Sequence, residues 1–255
     1  VTVTEAAQPT TRRVVVVLGA GGALGGAVSR RLSGEAATDV VLSDISEASL
    51  AETVASLAGR RGGLETTSVD VGDVEQVRAV VDLAVQRFGR LDVVVGIAGV
   101  LSPNGRIHNL DTEDWERAFR VNVLGSANAV RAAVPVMRRQ GSGSIVLTAS
   151  VAGMTAWSHA APYCATKAAV IQLAKVAALE YARDGIRVNC VCPGTFLSAI
   201  HEGMPTEAIE AIASRHPLGL GAADDLVGAY SYLAGADSRW TTGSAIVVDG
   251  GYSAP

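Results

Sequence analysis

Lysine is nearly missing from this chain. Of its 21 lysine and arginine residues only Lys167 and Lys175 are lysines, so arginine is the default cation. Cysteine is scarce as well: Cys164, Cys190 and Cys192 form an odd set. That excludes a disulfide-stapled secreted scaffold and predicts a reducing, cytoplasmic setting. Cys190 and Cys192 lie two apart in a strand-like run and share a face as core fillers. No second Cys/His cluster completes a metal site, and no metal is expected. Positive charge is not clustered, and a net charge of −4 argues against a nucleic-acid partner. Apolar runs are broken by glycines and charges before they reach bilayer length, so no membrane partner is expected. Residues 1–12 lack the basic start and apolar core of a signal peptide and read as a flexible tail.

What is present is small and apolar. Hydrophobic residues make up 49% of the 255, with 28 glycines, which suits one domain over 13–255. Short runs at 14–18, 40–42, 66–69, 92–95, 144–148, 187–192 and 245–248 read as strands. Most are continuously apolar, as strands buried on both faces of a parallel sheet are. Helical patterns fill the gaps at 23–32, 48–58, 74–88, 115–137, 165–182 and 224–233, with Asp111 or Thr112 as N-cap for the fourth. Strand and helix alternate without a linker or a repeat. The expected fold class is α/β: a single doubly wound, Rossmann-type domain, a parallel seven-stranded sheet with helices on both faces. Residues 165–182 are apolar nearly all round, which predicts burial on both sides, under an identical subunit or under the chain's own C-terminus.

Gly19, Gly21, Gly22 and Gly25, with Ala23 and Leu24, follow the first strand and open the first helix. Missing side chains let a pyrophosphate approach the backbone, and free N–H groups at the helix start bind it; a merely tight turn is the alternative. Asp44 ends the second strand nineteen residues after Gly25. A carboxylate there accepts from the ribose 2′- and 3′-hydroxyls of an adenosine and repels a 2′-phosphate. The alternative is an acid at a helix N-terminus. Ile45 follows rather than an arginine, and the glycine turn holds no Arg or Lys, so NAD is expected over NADP. Asp70-Val71, after the third strand, is placed to meet the adenine edge.

Tyr163 and Lys167 are four residues apart and face the same way on a helix. A free phenol titrates near ~10, too high for a base at neutral pH, and a nearby ammonium lowers that value. The pair is a candidate acid/base device; an ordinary surface pair is the alternative. The rarity of lysine favours the first, since lysine exchanges a proton where arginine stays charged.

With these pieces in order, the chain resembles the short-chain dehydrogenase/reductase family, in its single-domain subgroup of about this size, over residues 13–253. The glycine turn resembles the family's Thr-Gly-x-x-x-Gly-x-Gly. Ser150 lies thirteen residues before Tyr163, as is usual in this subgroup, and Asn122 sits at the family's active-site asparagine. Pro193-Gly194-Thr195, with Ser198 where a threonine is usual, resembles the nicotinamide-side loop. Thr242-Gly243-Ser244 and Asp249-Gly250-Gly251 resemble the C-terminal signature. The spacing Gly19, Gly22, Gly25 also fits the extended subgroup of epimerases and dehydratases, but the Ser150–Tyr163 gap and the Asp-Gly-Gly signature argue against it.

The resemblance implies roles. Tyr163 exchanges the proton on the substrate oxygen, Lys167 lowers the tyrosine's pKa and binds the nicotinamide ribose, Ser150 orients the substrate oxygen, and Asn122 holds a water that links Lys167 to solvent. Three departures stand out: Leu18 replaces a threonine, Ala23 replaces the second glycine, and Gly96-Ile97-Ala98-Gly99 replaces Asn-Asn-Ala-Gly. Ala98 and Gly99 keep their places against the cofactor, and Leu18 and Ile97 are expected to trade a polar contact for an apolar one. The implied activity is NAD-dependent hydride transfer between nicotinamide and a secondary alcohol or ketone. Alternatives are an NADPH-dependent ketoreductase and a catalytically silent nucleotide-binding protein. Leu101-Ser102-Pro103, Ala152, Met154, Trp157, His159, Phe196 and residues 201–205 are expected to line the substrate pocket, with 196–217 as a lid. His159 either touches a polar substrate group or is a loop residue at the rim. A homotetramer is expected through the helices at 115–137 and 165–182, with residues 249–255 near a subunit contact by resemblance.

Overall fold

The computed structural model describes residues 12–198 and 203–254. The expected tail lies outside the described residues except for Arg12, whose guanidinium pairs with Asp39 at 2.8 Å.

Seven parallel strands form one sheet in the order β3-β2-β1-β4-β5-β6-β7. They are β1 (Arg13–Leu18), β2 (Thr38–Asp44), β3 (Leu64–Ser68), β4 (Val93–Gly96), β5 (Gly143–Thr148), β6 (Ile186–Pro193) and β7 (Ala245–Val248). Side chains alternate along β1: Val14, Val16 and Leu18 enter one core, Val15 and Val17 the other. Helices α3 (Val74–Phe88), α5 (Gly125–Gln140) and α6 (Ala161–Tyr181) cover the first face. Helices α1 (Ala23–Ser33), α2 (Glu47–Ala55) and α8 (Ala223–Ala234) cover the second. The strand order reverses between β1 and β4, where open sheets of this kind leave a crevice at the carboxyl ends.

Local chemistry sets the helix starts. Ser46 caps α2 by accepting from Ser49 N–H, and Asp73 caps α3 by accepting from Glu75 and Gln76 N–H groups. Helix α1 is different: Gly22 precedes it without a side-chain cap, and its first turn holds no acid.

The helix expected over 115–137 is present as a continuous helical stretch, α4 (Thr112–Ala118) running through a π-helical turn (Phe119–Leu124) into α5. The wider turn carries Asn122 and turns it into the core. In the single chain, the apolar helix at 165–182 sends Val170, Ala174 and Ala178 into the core, while Val176 is 43% and Leu179 is 84% exposed. Of the two expected covers for that outer face, the described C-terminal residues do not supply one. Leu18 and Ile97 do not form the expected apolar contact, because they belong to opposite faces of the sheet. Their link is main-chain, with Ile97 N–H donating to Leu18 O at 2.8 Å. A seventh helix pattern was also hidden in the sequence: α7 (Thr206–Ala213) lies in the stretch read as a lid.

Candidate active site

A cleft of about 1570 Å³ runs along the carboxyl ends of the strands. At one end, Gly19, Gly22, Ala23, Leu24 and Gly25 form its wall. Gly19 has φ +90°, a conformation that favours glycine, and a Cβ there would strike the main chain of Ala98. Gly22 has nothing within 4 Å of where a Cβ would stand. The uncapped N-terminus of α1 therefore opens onto the cleft with free N–H groups and no competing acid. That is a cradle for an anionic diphosphate, and the residues present fit one.

Asp44 stands beside this cradle. Its Oδ2 accepts from Gly21 N–H at 2.8 Å and its Oδ1 from Ser46 N–H at 3.0 Å. Gly21 itself is behind the wall rather than on it, since a Cβ there would meet the Asp44 carboxyl group at 2.9 Å. Ile45, 69% exposed, lines the cleft next to Asp44. Asp70 and Val71 line it further along, and Asp70 pairs with Arg120 at 2.6 Å. Arg120 is absent from the sequence-level site because its only motif is its place two residues before Asn122.

At the other end Ser150, Tyr163 and Lys167 line the cleft together. Tyr163 and Lys167 project from the first turns of α6, and Lys167 Nζ is 5.6 Å from the Tyr163 ring centroid. The Lys167 ammonium donates to Thr148 O, at the end of β5, at 2.9 Å. Burial pushes the Lys167 pKa down from 10.5 to about 8, against a weaker opposing pull from Cys192 and Cys190. Burial also raises the Tyr163 pKa, with the Ser150 hydroxyl acting in the opposite direction. Enclosure thus penalises the charged forms of both side chains.

Asn122 does not reach the cleft wall. Its Oδ1 accepts from Val100 N–H at 2.8 Å, and its Nδ2 donates to Val100 O and to Thr166 Oγ1, each at 3.0 Å. Thr166 Oγ1 in turn donates to Tyr163 O at 2.8 Å. Asn122 Oδ1 and Lys167 Nζ both lie 3.2 Å from where a Cβ on Gly99 would stand, so Gly99 is the space that brings them together. Ala98 and Gly99 line the cleft, as do Pro193, Gly194, Thr195 and Ser198.

The substrate-side expectations divide. Leu101, Ser102, Trp157 and Phe196 line the cleft, with Met204 from the 201–205 stretch; residues 201 and 202 lie outside the described residues. Pro103, Ala152, Met154 and His159 do not line it. Ala152 is buried instead, where its N–H donates to Ser150 Oγ at 3.1 Å. His159 is an exposed loop residue with φ 69°, its Nδ1 2.8 Å from Ser158 Oγ. Two wall residues had no sequence signal of their own. His216 is buried with Nε2 accepting from Thr195 N–H at 3.1 Å and Nδ1–H donating to Ile212 O at 3.0 Å. Tyr252, just past the Asp-Gly-Gly signature, rests on His216 with ring centroids 4.8 Å apart.

The family model described as Enoyl-(Acyl carrier protein) reductase matches residues 19–253. Cis-4-hydroxycyclohexanecarboxylate dehydrogenase of Sinomonas cyclohexanicum is 36% identical over 246 residues, covering 95% of this chain and 97% of the relative. The crystal structure of levodione reductase superposes with a TM-score of 0.89 at 29% identity, over 96% of this chain and 99% of that one. Actinorhodin polyketide ketoreductase, in a tryptophan variant with NADPH, gives a TM-score of 0.87 at 31% identity, over 94% and 97% of the two chains.

Proposed function

The chain belongs to the short-chain dehydrogenase/reductase family, and on that premise we propose that it is an NAD-dependent oxidoreductase that interconverts a secondary alcohol and its ketone, with Tyr163 as the acid/base. One observation carries the reading: Ser150, Tyr163 and Lys167 share one end of a cleft whose other end is an uncapped helix N-terminus beside Asp44.

A bound nicotinamide dinucleotide supplies the carbon that gives or takes a hydride. The protein's residues do the rest. The N–H groups that open α1 hold the diphosphate, and Asp44 accepts from the adenosine ribose hydroxyls. Lys167 spends one of its three donors on Thr148 O and has two left for the nicotinamide ribose. Ser150 Oγ donates to the substrate oxygen and fixes its direction. Tyr163 gives that oxygen a proton in reduction and takes it back in oxidation. Asn122 acts as a positioning residue that ties the loop at Val100 to α6 through Thr166. The preference for NAD is supported by the Asp44 carboxylate and by the absence of any Arg or Lys in Gly19–Gly25 or at position 45. A cytoplasmic enzyme acting as a homotetramer completes the proposal, the exposed Val176 and Leu179 on α6 being the surface that identical subunits would cover.

A second reading, an NADPH-dependent ketoreductase, is favoured by the NADPH-bound neighbour. Initial rates with secondary alcohols and ketones, each with NAD(H) and NADP(H), test both. Turnover with NAD(H) at least tenfold more efficient supports the first; preference for NADP(H) supports the second; no turnover with either overturns the enzymatic assignment.

A further inference from the structure

His216 joins separate stretches of chain that all reach the cleft. It follows α7 and is 4% exposed. Its Nε2 lies 3.1 Å from Thr195 N, and its Nδ1 lies 3.0 Å from Ile212 O. A backbone N–H can only donate and a carbonyl oxygen can only accept. Nε2 is therefore bare and Nδ1 carries the proton, so the neutral ring serves both neighbours in a single tautomer. Packing against Tyr252 needs neither nitrogen. Burying a polar ring is costly without such partners, so the two bonds specify where Thr195 sits.

From this ring, contacts run to the reacting end of the cleft along the main chain and through a stack of rings. Thr195 O accepts from Gly221 N–H at 3.3 Å, and Gly194 N–H donates to Val248 O at 2.9 Å. With His216 on the Thr195 N–H, these bonds tie down the turn after β6. At the start of that turn Pro193 O accepts from Ser150 Oγ at 3.4 Å. On the other side His216 rests on Tyr252 with centroids 4.8 Å apart, Tyr252 meets Trp157 edge-on at 6.1 Å, and Trp157 stacks on Tyr163 at 6.1 Å. One side chain is thus linked to both Ser150 and Tyr163. Pro193, Gly194 and Thr195 line the cleft beside them. A nicotinamide that exchanges a hydride next to Ser150 and Tyr163 lies against that wall.

We propose that His216 is a positioning residue for the nicotinamide end of the cofactor. By accepting the Thr195 N–H it holds the Pro193–Thr195 wall in register with α7 and the C-terminal turn. It acts through Thr195, not on the reacting atoms. The inference rests on the oxidoreductase reading for the cofactor's place in the cleft. The diphosphate cradle and Asp44, at the other end, do not depend on it.

The test compares NADH with ADP-ribose, which lacks the nicotinamide, on wild type, His216→Phe, His216→Asn and His216→Gln. Phenylalanine keeps a ring against Tyr252 and loses both nitrogens. The asparagine amide reaches the Nδ1 position and the glutamine amide the Nε2 position, so of the three only glutamine can still accept from Thr195 N–H. Dissociation constants are taken by calorimetry at a temperature where melting curves show each variant folded. Wild type should bind NADH tighter than ADP-ribose by about fivefold or more. His216→Phe and His216→Asn should weaken NADH by about fivefold or more and leave ADP-ribose within about twofold. His216→Gln should recover most of the NADH loss. Unchanged NADH affinity in the Phe and Asn variants overturns the positioning role. Equal losses on NADH and ADP-ribose also overturn it, because they mark a general packing defect. Recovery by asparagine instead of glutamine overturns it as well, since the bond to Ile212 O is then the one that matters. Equal affinity of wild type for NADH and ADP-ribose overturns the placement of the nicotinamide, and the inference with it. Selective NADH losses beside a wild type that turns over no alcohol or ketone uphold the positioning role and overturn only the enzymatic reading.

Discussion

Asp44 accepts the backbone N–H of Gly21 at 2.8 Å, so the carboxylate that ends β2 also fixes the glycine turn that follows β1. One group thus shapes the glycine turn and borders the cleft. On the proposed reading, cofactor choice and loop geometry are coupled through a single side chain.

A 2′-phosphate brought to Asp44 meets a negative charge. At an effective dielectric of 20, two unit charges 4 Å apart repel by about 4 kcal/mol. Solvent and movement reduce this to ~2–3 kcal/mol, on the order of 100-fold in favour of NAD. Asp44→Ala is expected to weaken NAD binding and narrow the preference. Asp44→Ser with Ile45→Arg is expected to shift it towards NADP, since a guanidinium pairs with phosphate. Dissociation constants of both cofactors for wild type and the double variant check this; equal wild-type affinities contradict it.

Lys167 makes a pH-dependent contribution to stability. Its pKa falls from 10.5 to about 8 on folding, so between these values the unfolded chain binds more protons and stability rises with pH. At neutral pH the buried ammonium costs about 3 kcal/mol, partly offset by the bond to Thr148 O. Lys167→Met is therefore expected to be more stable than wild type by about 1–2 kcal/mol near pH 7. The gap should hold below about pH 7 and narrow as the pH climbs through 8 towards 10.5. Denaturant unfolding of both proteins across that range measures it.

Burial raises the Tyr163 pKa, which keeps the phenol protonated at neutral pH. Protonated tyrosine is the competent form for ketone reduction and ionised tyrosine for alcohol oxidation. The kcat/KM for oxidation should climb as the pH rises above neutral, and that for reduction should hold near neutral and fall at alkaline pH. Steady-state profiles in both directions check the sign.

The exposed face of α6 is expected to be covered in solution. Leu179→Glu puts a charge where the protein would otherwise bury a side chain now 84% exposed. Light scattering should show a tetramer for wild type at micromolar concentration and smaller species for the variant. A stable wild-type monomer contradicts the assembly.

Much of this was legible in the sequence, for identifiable reasons. Continuous apolar runs marked parallel strands because each strand packs on both faces, as Val14 to Leu18 do. The glycine turn was legible because only missing side chains permit the approach of Ala98 to Gly19. The π-helical turn at Asn122 was not, since its residues continue the helical pattern and the extra width comes from tertiary bonds to Val100 and Thr166. The direction of the Tyr163 shift was also hidden. Spacing shows that an ammonium is near, but desolvation depends on how Trp157 and the β5 end enclose the phenol, and no local pattern encodes that. His216 and Tyr252 reach the cleft through long-range packing between the stretch after α7 and the C-terminal turn.

The central claim is that the Tyr163 hydroxyl transfers the proton. Tyr163→Phe keeps the ring against Trp157 and removes only that hydroxyl. Its single-turnover rate with a secondary alcohol, measured beside its NAD dissociation constant, is the most direct test. The rate should fall by ~10³-fold while NAD affinity stays within about threefold of wild type. A rate near that of wild type, with NAD bound equally well, would contradict the account.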